Sequence, residues 1–215
     1  LTETGFVMVQ GHGIPSELVR DVRRVVEGYF SRSAEEKMLD CITPDNYRGY
    51  IPLGFFSPNT GGNTPDQYEG YKLHHETSLK HPIREHCDVY GPNKWPAEPE
   101  GMSEVITKFW QACDVAGRHL LKLISQIMGV DKTAFLSFFD DPLTNMTLLH
   151  YPSQPADRPK VGIHPHKDTD ALTCAPSHVL ASRYLGLDSW SFASAVSRKW
   201  SKMACRSSNR SSCRI

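Results

Sequence analysis

The strongest constellation of chemically capable side chains is His164-Pro165-His166-Lys167-Asp168-Thr169-Asp170. If this stretch runs as a strand, residues i and i+2 share a face. His166 and Asp168 then present an imidazole and a carboxylate side by side. Those are two of the three ligands of the 2-His-1-carboxylate facial triad, which leaves positions on Fe(II) open for oxygen and substrate. The same spacing also pairs His164 with His166 and Asp168 with Asp170, and a polar strand facing solvent accounts for the same residues. A metallo-hydrolase reading exists as well. His164-Pro165-His166-Lys167-Asp168 covers most of an H-x-H-x-D-H pattern that places two metals, with Thr169 where its last histidine would stand.

The elements that must position this segment can be read from periodicity. Thr4–Val9 is a β-branched apolar run with no basic flank, which reads as a strand and not as a signal peptide. Gly11-His12-Gly13-Ile14-Pro15 closes it, with His12 as a turn histidine. Leu18, Val19, Val22, Val25, Val26, Tyr29 and Phe30 recur at helical spacing. Ser33-Ala34-Glu35-Glu36 is a capping box opening a second, short helix. Residues 43–101, rich in Gly, Pro, Asn and aromatics, read as a long irregular excursion, with His74, His75 and Glu76 in a solvated loop. From Ser103 to Met128 the helical pattern returns. Val105, Ile106, Phe109, Trp110, Cys113, Ala116, Leu120, Ile124 and Ile127 lie on its apolar face and Gly129 follows as a stop. Trp95, Phe109 and Trp110 read as core aromatics, and Phe135, Phe138 and Phe139 as a short helical piece. Strands are expected at Met146–Tyr151, Val161–His166 and from Asp170 onward.

The 215 residues hold 24 basic and 24 acidic side chains, a balance that argues against a nucleic-acid or membrane-surface binder. The balance is uneven. Residues 1–173 carry 17 Lys and Arg against 23 Asp and Glu, whereas residues 174–215 carry 7 basic residues, one acid (Asp188) and 11 serines. Six cysteines are scattered without zinc-knuckle spacing, which favours free thiols in a reducing, cytoplasmic setting. No run approaches the roughly 20 apolar residues that span a bilayer.

Six stretches, in order, resemble the isopenicillin-N-synthase-like family of Fe(II)/2-oxoglutarate-dependent dioxygenases. They are Gly5 to Pro15, Glu36-Lys37-Met38, Tyr47-Arg48-Gly49-Tyr50, Gly91-Pro92-Asn93-Lys94-Trp95-Pro96, Leu148-Leu149-His150-Tyr151-Pro152 and His166-Lys167-Asp168-Thr169-Asp170-Ala171-Leu172-Thr173. The resemblance covers most of residues 4–173. It implies that His166 and Asp168 bind iron and that Tyr151 hydrogen-bonds the distal carboxylate of 2-oxoglutarate. It leaves His164 as a strand residue on the metal-facing side, not a ligand. The implied partners are O2 and a small-molecule substrate. No pattern sets an oligomeric state.

The expected fold is α+β: an N-terminal helical and irregular region packed on a double-stranded β-helix (jelly roll) that is incomplete in this chain. Residues 1–100 form the N-terminal dioxygenase region, 101–173 the long helix and first jelly-roll strands, and 174–215 a basic, Ser-rich tail that does not match the family. The resemblance calls for a second ligand histidine on the order of 55 residues beyond the first. His178 is too close, and the Arg-x-Ser triplets at Arg206 and Arg210 have no ligand histidine before them. The expectation is therefore a truncated or aberrant family member, with the tail arising from intron read-through or a frameshift. The expected function is non-haem Fe(II)- and 2-oxoglutarate-dependent oxidation of a small organic molecule, impaired in this chain. The alternatives are an inactive product or binding module and, more remotely, the metallo-hydrolase.

Overall fold

Alternating charge and apolar residues build α1 (Ser16–Phe30). It buries Val25, Tyr29 and Phe30 and leaves Arg20, Arg23, Arg24 and Glu27 outside. The computed structural model describes residues 8–44, 47–56, 64–85, 91–140, 142, 144–155, 157, 162–164, 172–176 and 190–193. The chain divides into two compact units. One comprises Ser16–Lys108 and Asn145–Lys167, the other Leu1–Pro15, Phe109–Thr144 and Asp168–Ile215. The strand expected at Thr4–Val9 lies mostly outside the described residues.

In the first unit, α1 is followed by α2 (Ala34–Met38), whose capping box is complete. Glu36 N–H donates to Ser33 Oγ, and Ser33 N–H to the Glu36 carboxylate. The stretch 43–101 departs from the expected irregular excursion, because it supplies two strands. β1 (Gly49–Ile51), β2 (Glu69–His74) and β3 (Asn145–His150) form an antiparallel sheet in the order β1-β2-β3. Their alternation is hidden because β2 is buried on both faces and because charged and polar residues (Glu69, Lys72, His74) sit inside the ladder. Gly70 is where the strands approach closely: an added methyl would lie 3.2 Å from Leu148 O and 3.4 Å from Ile51 Cδ1. Gly49, at φ 112°, lets the chain pass the Asp40 carbonyl, which accepts from Tyr50 N–H at 2.8 Å.

Tyr29 stands at the centre of this unit. Its ring meets Tyr71 edge-on at 4.9 Å and Phe30 at 5.4 Å, and lies tilted to Tyr50 at 6.3 Å. Ile51, Leu73, Ile83, Met102 and Ile106 are also buried. Each such side chain contributes about 1.5–3 kcal/mol from apolar burial. A 3₁₀ turn at Pro82–Glu85 supplies Ile83.

The long helix α3 (Met102–Ile127) begins and ends within a residue of expectation, and Gly129 follows at φ 64°. Its buried stripe differs in the last turns. The 3.6-residue period carries burial from Phe109 through Ala116 to Leu121 and Ser125, and Ile127, on the opposite side, is 78 % exposed. Trp95 and Trp110 are half-buried.

In the second unit, α4 (Lys132–Leu136) starts on Asp131, which accepts from Ala134 N–H at 2.7 Å, and runs into a 3₁₀ turn, Ser137–Phe139. Leu121 and Phe139 form a small core against Phe135, Leu136, Phe138 and Leu172. β4 (Thr173–Pro176) pairs antiparallel with β5 (Trp190–Ala193), from Thr173 opposite Ala193 to Pro176 opposite Trp190. The tail beyond residue 174, expected to carry no strand, thus contributes β5. Its signal is missed because no turn residues mark its edges. In the stretch expected as a strand at Val161–His166, Gly162–His164 is not strand, and the rest lies outside the described residues. Among the described residues, no helix is long and apolar enough to cross a membrane.

Candidate functional site

The antiparallel register that sets Glu69 opposite His150 places Tyr68 and Tyr151 as the next opposed pair, just beyond the end of the β2–β3 ladder. Pro152 cannot donate to a further rung, so β3 stops there. The two rings lie 6.1 Å apart, tilted by 54°. Tyr151 is 47 % exposed. Burial, and secondarily the Asp66 charge, push the Tyr151 hydroxyl above its ordinary pKa. The same two influences push Tyr68 up to about 12. Both phenols are therefore hydrogen-bond donors at neutral pH.

Where β3 leaves the β2 extension, Gly162–His164 takes its place. Gln67 N–H donates to Gly162 O at 2.8 Å. Asp66 Oδ1 accepts from His164 N–H at 3.0 Å and lies 2.5 Å from His164 Nδ1. Asp66 N–H in turn donates to Phe56 O at 3.1 Å. Gly162 packs against the Tyr151 ring so closely that an added methyl would lie 3.0 Å from its Cδ1.

Of the residues expected to do chemistry, Tyr151 therefore stands at the strand edge beside Gly162–His164. His166 and Asp168 lie outside the described residues. Among the described residues, no three His, Cys, Asp or Glu side chains gather in a way that could hold a metal ion. His164, expected on the metal-facing side of a strand, is engaged with Asp66 off any strand. His12 is the turn histidine expected: its Nδ1 accepts from Ile14 N–H at 3.1 Å.

The loop expected at His74–Glu76 holds for His75 and Glu76, which lie outside any strand with Glu76 exposed, and His74 departs from it. His74 closes β2, and its Nε2 lies 3.1 Å from Tyr47 O. Burial, then the charges of Lys72 and Arg48, lower its pKa to about 4. Its backbone exchanges two bonds with the Asn93 side chain, at 2.9 and 2.8 Å, while Glu76 accepts from Asn93 N–H. This group straps the Gly91–Pro96 segment to the sheet.

Sequence reasoning missed a four-residue cluster inside the first unit. Lys37 Nζ, from α2, donates to Glu69 Oε2 at 2.8 Å, to Oε1 at 3.1 Å and to Phe30 O at 3.0 Å. Tyr50 Oη donates to Glu69 Oε2 at 2.5 Å, and His150 Nδ1 lies 2.8 Å from Oε1. Burial would push the Glu69 carboxyl up. The bonds from Lys37, Tyr50 and His150 outweigh it and hold the group below the ordinary glutamate value. The only sequence signal was indirect, since Lys37, Tyr50 and His150 each fall in a stretch that resembles the family.

Residues 1–98 match the family model described as the non-haem dioxygenase in morphine synthesis N-terminal region. The chain is 31 % identical over 172 residues to 2-oxoglutarate-dependent dioxygenase thnC of Trichoderma harzianum, covering 79 % of this chain and 52 % of that protein. It is 29 % identical over 177 residues to a homoarginine-6-hydroxylase of Arabidopsis thaliana, covering 80 % and 47 %. Among solved structures, JOX2 in complex with 2OG, Fe and JA superposes with a TM-score of 0.64 at 25 % identity, over 80 % of this chain and 48 % of that one. The chain thus spans about half the length of the curated relatives it matches. The family model, the relatives and the solved structures together support the Fe(II)- and 2-oxoglutarate-dependent dioxygenase family for this chain.

Proposed function

We propose that this protein oxidises a small organic molecule with O2 in an Fe(II)- and 2-oxoglutarate-dependent reaction, using His166 and Asp168 as iron ligands and Tyr151 as a contact to 2-oxoglutarate. The donor set fits the metal: an imidazole nitrogen and a carboxylate oxygen two residues apart suit a divalent iron with open positions. When bound, iron and 2-oxoglutarate supply the oxidising chemistry, and the protein supplies binding and orientation. The observation that carries the reading is the placement of Tyr151. Its ring stands at the end of the β2–β3 ladder against Gly162, four residues before His166 in the sequence, and burial with the Asp66 charge pushes the hydroxyl pKa further up from its ordinary value. A protonated phenol there can donate to a carboxylate oxygen of the cosubstrate, and the Tyr68 ring lies beside it, 6.1 Å between centroids. The described thiols Cys41, Cys113 and Cys174 are all free, which supports a reducing, cytoplasmic setting.

The test is succinate formation by the purified chain with Fe(II), 2-oxoglutarate and O2. Turnover that disappears in His166→Ala and in Asp168→Ala supports the reading. Absence of turnover in the unmodified chain favours an inactive product or binding module. Zinc-dependent ester hydrolysis would favour the metallo-hydrolase.

A further inference from the structure

Gly162 is a glycine that its own backbone does not require. It takes none of the positive φ values that favour glycine elsewhere in the chain, such as 112° at Gly49. Space requires it instead. A Cβ at this position would lie 3.0 Å from Cδ1 and 3.1 Å from Cε1 of Tyr151. Among the described residues, nothing else outside its chain neighbours comes within 4 Å of that point. The glycine side of the contact is tied down. Gly162 O accepts from Gln67 N–H at 2.8 Å, and two residues on, His164 N–H donates to Asp66 Oδ1 at 3.0 Å. The Asp66 and His164 side chains are shielded, at 13 % and 19 % exposure, so water competes little for the strap. Asp66 is itself anchored, because its N–H donates to Phe56 O. The Tyr151 side is looser. Tyr151 is half-exposed, and the Tyr68 ring stands 6.1 Å away, tilted by 54°. Of the two partners, the ring is the one with room to turn.

We propose that Gly162 is a positioning residue for Tyr151: its backbone, strapped to Asp66 and Gln67, seats the ring, and its lack of a side chain sets the direction in which the phenol hydroxyl is presented to 2-oxoglutarate. This inference rests on the reading of Tyr151 as the 2-oxoglutarate contact and needs no other residue of the site. A methyl group at position 162 comes closer to the ring than carbon atoms pack, and turns the half-exposed ring aside. The hydroxyl stands at the far end of a rigid phenol, so it moves further than the edge that is touched. A hydrogen bond weakens steeply as its angle closes. Cosubstrate binding therefore suffers before stability does. A wholly structural contact behaves in the opposite way. The ring resists, stability falls, and any change in cosubstrate affinity is the same with or without the hydroxyl.

The experiment is a double-mutant cycle on the full chain, with Gly162→Ala, Tyr151→Phe and the two combined. It reads the Kd for 2-oxoglutarate by calorimetry with Mn(II) in excess, alongside thermal unfolding. Tyr151→Phe should weaken 2-oxoglutarate by about tenfold or more, and Gly162→Ala by about three- to tenfold. The combined variant should stay within about twofold of Tyr151→Phe alone, because the substitution at 162 acts through the hydroxyl that is already gone. The thermal midpoint of Gly162→Ala should stay within about 4 °C of the unmodified protein. Unaltered 2-oxoglutarate affinity in Gly162→Ala overturns the proposal, and so does a loss that persists in full in the phenylalanine background. If Gly162→Ala does not fold, His164→Ala takes its place in the same two backgrounds. It releases the imidazole from Asp66, loosens the segment that carries Gly162, and is judged by the same criteria. Failure of the unmodified chain to bind 2-oxoglutarate, or an unchanged Kd in Tyr151→Phe, overturns the reading of Tyr151 and this inference with it. Both of those outcomes appear before position 162 is altered, which separates them from failure of the seat.

Discussion

Glu69 and Asp66 stand three positions apart in the chain, and each lies within 2.8 Å of a histidine Nδ1. Their settings differ. Glu69 faces a cation, a phenol and an imidazole brought by α2, β1 and β3, and its lone pairs are well used. Asp66 lies before the first rung of β2 and grips a segment that belongs to no strand, beside a half-exposed tyrosine. The denser and drier of the two clusters is the structural one. On the proposed reading, burial and charge together do not mark the site of chemistry. The proposed site adjoins the less saturated cluster at the end of a ladder, next to the half-exposed Tyr151. A fully satisfied network fixes the frame, and a partly open one next to it can still receive a ligand.

The comparison breaks most visibly if Glu69 turns out to be dispensable. Glu69→Ala leaves the Lys37 ammonium buried at the junction of α2 and the sheet with Phe30 O as its remaining described acceptor. Removing one partner of a buried pair costs about 3–5 kcal/mol. Asp66→Ala removes a carboxylate from a smaller cluster that includes a neutral backbone bond, and should cost about 1–3 kcal/mol. Urea unfolding of both variants, with the m-value as a check on the cooperative unit, gives the order. A loss below about 1 kcal/mol for Glu69→Ala would remove the distinction between the two regions.

The pH dependence of stability sharpens it. His74 has a folded pKa of about 4, below its ordinary value of 6.5. Between those values the unfolded chain binds the extra proton, so stability rises with pH across this window and is lost as pH falls from 6.5 toward 4. The full shift corresponds to roughly 3 kcal/mol. Glu69, also depressed, adds a second loss at lower pH: its contribution is complete above the ordinary glutamate value and disappears as pH falls through the folded one. Urea midpoints at pH 7, 5.5 and 4 should therefore fall in sequence. His74→Gln should flatten the upper part of the curve and leave the lower part in place. An unchanged slope between pH 6.5 and 5 in that variant would remove His74 as its source.

The helices were legible in the sequence because each is specified locally. The α1 stripe from Leu18 to Phe30, the Ser33–Glu36 box and the Gly129 stop need nothing beyond the next turn. β3 was legible for the same reason, through the alternation ended by Pro152. β1 and β2 were not, because their polar residues are satisfied by partners far along the chain: Glu69 by Lys37, 32 residues away, and His74 by Tyr47 and Asn93. Local polarity then imitates a loop. At the candidate site, Tyr151 could be named from the motif around it. Asp66 could not, since nothing within 98 residues of sequence points to His164. The last turns of α3 failed differently. A broad apolar face was visible, but which edge of it would be covered depends on what packs there, and Leu121 is buried while Ile127 is exposed.

The smallest effect on stability is expected where the effect on ligand binding is largest. Tyr151→Phe deletes a hydroxyl from a side chain that is 47 % exposed and leaves the ring against Gly162 and Tyr68. Surface substitutions of this kind stay within about 0.5 kcal/mol. The lost group is nonetheless the donor assigned to the 2-oxoglutarate carboxylate. A hydrogen bond to a charged group is worth about 1.5–3 kcal/mol, so the KM for 2-oxoglutarate should rise on the order of tenfold or more. Tyr68→Phe is the matched control, because it keeps the ring beside Tyr151 and removes a hydroxyl to which no cosubstrate contact is assigned. It should leave the KM for 2-oxoglutarate within about twofold. Steady-state succinate release at varied 2-oxoglutarate, alongside thermal unfolding of both variants, separates the cases. A stability loss above about 1 kcal/mol in Tyr151→Phe would move Tyr151 to the structural side of the comparison. Equal KM changes in the two variants would mean that the strand edge acts through its rings and not through the one hydroxyl.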